Sequence, residues 1–92
     1  DWAKVVVTTT DERLVPLDDP GSNAGQVRAL LGVAPVWLGA LDSDVSSLPW
    51  PATVTVLGMG LDAHIASLFL SEKIDHEKQG LIATRAPAPF PE

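Results

Sequence analysis

Two apolar runs, Val5-Val6-Val7 and Val54-Thr55-Val56-Leu57, limit the folds open to this chain. Both are rich in β-branched residues, which suits a strand. Neither alternates apolar with polar, the pattern of strands covered on both faces. Strands are expected over Trp2 to Thr8 and Ala52 to Leu57, with shorter ones at Val36-Trp37-Leu38 and Leu81 to Thr84. A helix is expected over Ala24 to Leu31. Ser22 or Asn23 stands where its cap belongs, Val27, Leu30 and Leu31 share a face, and Gly32 follows the end. A second helical stretch is expected from Asp62 to Phe69, continuing to Lys73 after an interruption. Strands separated by helical pieces predict an α/β fold with a parallel sheet.

The totals narrow the functions. At 92 residues the chain is at most one domain, burying about 60–65% of its surface. It is 46% hydrophobic and 20% charged, a globular rather than a disordered balance. Without cysteine there is no disulfide and no thiolate chemistry, which suits the cytoplasm. A net charge of -6 argues against nucleic acid and against anionic membranes, since both are held by Lys and Arg. No run approaches the ~18 apolar residues of a membrane span. A start at Asp1 and a proline-rich end at Ala86 to Glu92 predict a piece of a longer protein.

Ligands of parallel sheets bind beyond the carboxyl ends of the strands. Two polar clusters fall there: Thr10-Asp11-Glu12-Arg13, and Gly58 to His64. Arg13 offers a planar fork matched to phosphate or carboxylate, and the flanking carboxylates are placed to hold it. Gly58-Met59-Gly60-Leu61-Asp62-Ala63 spells the G-x-G-x-x-A of a dinucleotide turn. Asp62 inside that turn would repel a pyrophosphate, so tight glycines for strand-to-helix packing are the better explanation. An imidazole can accept a proton near neutral pH, so His64 suits proton transfer, with Asp62 two residues away to orient it. Spacing alone also fits a capping or core histidine. Asn23 suits sugar hydroxyls as well as a helix cap, and His76 reads as solvated.

These stretches resemble 6-phosphogluconolactonases. Thr10-Asp11-Glu12-Arg13, Val15-Pro16, Asp19-Pro20 and Ser22-Asn23 are similar to one signature of that family. Leu57-Gly58-Met59-Gly60, Asp62, His64 and Ala66-Ser67-Leu68-Phe69 are similar to a second. The resemblance implies a parallel-sheet sandwich of the sugar-phosphate isomerase and coenzyme A transferase type, here incomplete. It also implies hydrolysis of 6-phosphoglucono-δ-lactone, in the oxidative pentose phosphate pathway, without metal or organic cofactor. His64, assisted by Asp62, is then the general base. Asp11, Arg13, Asn23, Gly58 and Gly60 bind a small phosphorylated sugar lactone.

The chain departs from the family in several places. Ala63 stands where glycine is usual, and a positive φ there would strain it. Leu70 stands where proline is usual. The link from Leu31 to Ala52 is short, and the N-terminal phosphate loop and C-terminal part are absent. Two alternatives therefore stay open: a non-catalytic remnant of the fold, and a related sugar-phosphate isomerase or deaminase. Oligomeric state is not legible in these residues.

Overall fold

The computed structural model describes residues 1–40, 42–69, 81, 83 and 84. The expected extension toward Lys73, Leu70, His76 and the proline-rich tail lie outside these residues.

Helix α1 spans Asn23–Leu31 and begins and ends on local signals. Ser22 is its N-cap: the side-chain hydroxyl accepts from the Gly25 amide at 3.0 Å. Gly32 closes it in the left-handed conformation at φ 66°, its amide donating to the Arg28 carbonyl. The helix starts one residue before the expected Ala24. Its buried residue is Ala24, while Leu30, expected on the covered face, is 83% exposed. The start of the helix, rather than its length, therefore meets the core.

The first expected strand is only half extended. Trp2–Lys4 form a single 3₁₀ turn, capped by the Asp1 carboxylate on the Ala3 amide at 3.0 Å. That cap gives the first residues a local partner in place of a ladder. Val5, which ends that turn, is extended. Thr8 and Val36 then pair in parallel: the Val36 amide donates to the Val7 carbonyl at 2.8 Å, and the Thr8 hydroxyl to the Val36 carbonyl at 2.9 Å. This parallel pairing around α1 is the α/β element seen among the described residues. It is one bridge rather than a ladder.

Two expectations fail. Val54 and Val56, expected inside a buried strand, are 77% and 83% exposed, and Val5 and Val6 are exposed as well. A continuous apolar run records a demand for cover on two faces, which no described residue here supplies. The stretch from Asp62 to Phe69 is not helical. It forms two successive tight turns, joined by antiparallel bridges of Ile65 to Met59 and to Leu68. Ala63 at φ 66° and Ala66 at φ 51° break the helical path. Among the described residues, Ala24, Leu48 and Phe69 form the buried hydrophobic core, with Ser22 fully buried beside α1. Among the described residues, no helix is long and apolar enough to cross a membrane.

Candidate active site

The turn that presents His64 is built from its own backbone. The Gly60 amide donates to the His64 carbonyl at 2.9 Å, and the Ala63 amide to the Gly60 carbonyl at 3.0 Å. The Asp62 carboxylate then receives the His64 amide at 3.3 Å, an Asx-type turn. The same oxygen, Oδ1, pairs with the ring Nδ1 of His64. The hydrogen bond from the imidazole outweighs the opposing effect of burial and, with the His64 amide and then the imidazole charge, holds the Asp62 carboxyl below its ordinary range. The Phe69 ring stacks on the imidazole, with centroids 5.0 Å apart and planes at 28°.

Gly60 explains itself here. A Cβ at this position would collide with Nδ1 and Cε1 of the His64 ring and lie 2.8 Å from Asp62 Oδ1. The glycine makes room for the ring to fold back over the turn. At Gly58 a Cβ would meet nothing within 4 Å, so space does not require that glycine.

The first polar cluster is organised around the start of α1. Glu12 Oε1 accepts from the amides of Asn23 and Arg13, both at 2.7 Å. Its Oε2 accepts from the Ala24 amide at 2.8 Å and the Ser22 hydroxyl at 3.0 Å. Burial works against charge on Glu12. The Ala24, Asn23 and Arg13 amides and the Ser22 hydroxyl outweigh it and hold the carboxyl below its usual value. With Ser22 on the Gly25 amide and the Gln26 amide on the Ser22 carbonyl at 3.2 Å, the first four amides of α1 are all satisfied. Glu12 thus steadies Arg13 through its backbone, not its guanidinium as expected. That guanidinium is exposed and has no hydrogen bond or ion pair among the described residues.

Asp11 joins the two clusters. Its Oδ2 accepts from the Ser67 hydroxyl at 2.8 Å, across 56 positions of chain. The Asn23 side-chain amide donates to the Asp11 carbonyl at 3.2 Å and to its Oδ1 at 3.4 Å. The arginine-bearing loop, the start of α1 and the histidine turn therefore meet at Asp11. Reasoning from sequence assigned no role to Ser67, Phe69 or the capping carboxylate of Glu12. Ser67 and Phe69 stand inside the quoted signature, which was the available signal. The Glu12 cap comes from ten positions before Ser22, and no local capping pattern anticipates it.

The profile of the family described as glucosamine-6-phosphate isomerases/6-phosphogluconolactonase matches residues 1–92. The chain belongs to this family. A 6-phosphogluconolactonase of Mesorhizobium japonicum is 40% identical over 103 residues, covering 88% of this chain and 43% of the relative. One from Caulobacter vibrioides is 40% identical over 84 residues, covering 74% and 36%. One from Pseudomonas putida is 42% identical over 86 residues, covering 75% and 35%. The chain thus spans less than half the length of these curated relatives. The 103 aligned positions exceed the 92 residues of this chain, so the Mesorhizobium relative carries residues within the matched span that this chain lacks. The short link between Leu31 and Ala52 agrees with such a gap. No solved structure shows a significant match. Family membership brings an α/β fold of the isomerase type, of which α1 and the Thr8–Val36 pairing are the parts in view.

Proposed function

We propose that this chain is part of a single domain, an α/β sandwich, that hydrolyses 6-phosphoglucono-δ-lactone to 6-phosphogluconate in the cytoplasm. The observation that carries the proposal is the Asp62–His64 pair in its glycine turn. A proton on Nδ1, donated to Asp62, leaves the basic lone pair on Nε2. That nitrogen takes a proton from water as the water oxygen attacks the lactone carbonyl. The tetrahedral oxyanion then collapses, the ring carbon–oxygen bond breaks, and the proton passes to the departing ring oxygen. A base so placed contributes about 10²–10⁴-fold.

The remaining site residues divide the substrate. Arg13 meets the phosphate with its guanidinium. The Oδ1 of Asn23 and the remaining lone pairs of Asp11 accept from sugar hydroxyls. The Gly58 amide, without a partner among the described residues, is available to the developing oxyanion, and Gly60 keeps the approach clear. The names of the relatives support the substrate. No nucleic acid or membrane enters this reading. The test is hydrolysis of the lactone by the purified chain, corrected for the spontaneous rate. His64→Ala is expected to remove at least a hundredfold of the enzymatic rate. Equal rates for the two proteins refute the assignment.

A further inference from the structure

We infer that Gly25 is a positioning residue for Arg13 and Asn23, two of the side chains that the lactonase reading gives to the substrate. The inference rests on that reading for its kinetic consequence, and on geometry for its structural one. Arg13 opens a loop that returns to the start of α1 at Ser22. Glu12 closes the neck of this loop, accepting from the Ser22 hydroxyl and from the amides of Asn23 and Ala24. A compact loop with its ends joined in this way is an Ω-loop. Inside it the Asp19 amide donates to the Pro16 carbonyl at 3.0 Å, and the Ser22 amide to the Asp19 carbonyl at 3.0 Å. The Gly21 amide donates to Asp19 Oδ1 at 2.7 Å. Leu17 is the second residue of the turn that Pro16 and Asp19 close.

Gly25 marks a point where this loop and α1 meet backbone to backbone. A Cβ there would run into the Leu17 carbonyl oxygen, far inside contact distance. The obstacle is main chain rather than a flexible side chain, and the turn bond together with the fixed φ of Pro16 holds it in place. Around this contact the loop and the helix face each other across a cleft of about 250 Å³, with Asp18 and Pro20 on one side and Gln26 and Arg28 on the other. Within a helix glycine is otherwise a poor choice beside alanine. Its use at position 25 lets the loop sit down on α1, close enough for Glu12 to reach the helix amides. Arg13 and Asn23 both hang by their amides on one oxygen, Glu12 Oε1. An alanine at position 25 forces loop and helix apart, Glu12 loses its grip, and the two substrate-binding residues lose their common spacing.

The sign of one substitution decides. Helix propensity alone predicts that Gly25→Ala slows hydrogen exchange at the Asn23 and Ala24 amides roughly two- to fivefold. The close contact predicts the reverse, with exchange about fivefold faster or more at these amides and at that of Arg13. In hydrolysis of the lactone, corrected for the spontaneous rate, KM should rise about tenfold, the loss of one hydrogen bond to a charged group. The kcat should stay within about threefold, since the Asp62–His64 turn is built from its own backbone. Slower or unchanged exchange overturns the inference. So does faster exchange with a loss confined to kcat, which would leave Gly25 no part in placing the binding groups. Should Gly25→Ala lose its α1 amide signals, the unmodified chain carries the test. Nuclear Overhauser contacts from the Gly25 Hα protons to protons of Leu17 and Asp18 are then expected, and their absence refutes the seating of the loop. Absence of hydrolysis by the unmodified chain would sink the lactonase reading alone, and amide exchange would still decide whether Gly25 sets the loop on the helix.

Discussion

Ala63 sits at φ 66°, in the turn that aims His64. The left-handed conformation costs an L-residue about 1–2 kcal/mol. Replacing Ala63 with glycine removes that cost. It also loosens the unfolded chain, which takes back about 0.4–1 kcal/mol. The methyl is exposed, so no apolar burial is lost. The turn should therefore gain about 0.5–1 kcal/mol in Ala63→Gly, a roughly two- to fivefold shift toward the closed form. The change is local, so the assay should be local. Hydrogen exchange at the amides of Gly60 and residue 63, both bonded within the turn, is expected to slow by that factor while α1 exchanges as before. The Asp62–His64 pair should survive, because neither partner changes. Equal or faster exchange at both amides would show that the alanine carries no strain there, and the argument from the positive φ would fail.

Two more outcomes follow from the same contacts. Glu12 titrates below its usual value when folded, so its contribution is complete above about pH 4.5 and is lost as pH falls through the depressed folded pKa. Glu12→Gln should cost about 1–3 kcal/mol and flatten the acid limb of α1 unfolding followed by circular dichroism; an unaltered acid limb refutes the capping role. Gly60→Ala should push the imidazole off the turn and lower lactone hydrolysis about a hundredfold. It should also return the Asp62 titration to the ordinary range, and a titration that stays depressed would contradict the close approach of ring and glycine.

Helix α1 was legible because its signals are local. A serine cap, an alanine that can be buried and a following glycine lie within a dozen positions, and each acts on its neighbours. The parallel pairing near Thr8 was legible in kind but not in extent. The Val54 to Leu57 run misled because burial is decided by what lies opposite, and the relatives carry more than half their length outside the matched region. The stretch after Gly60 misled for another reason. Leu61, Ile65, Leu68 and Phe69 recur at helical spacing, yet the two alanines at positive φ turn the chain twice instead. The Asp62–His64 pairing was foreseeable from a spacing of two. The Ser67–Asp11 link was not, because a hydrogen bond across 56 positions leaves no trace in local pattern.

Glu12 holds the amides of Asn23 and Ala24 with the same carboxylate that holds the amide of Arg13. One side chain thereby rivets the helix to the loop that carries the guanidinium. The root of the Arg13 side chain is therefore placed by the start of α1, while the guanidinium at its far end keeps its own freedom.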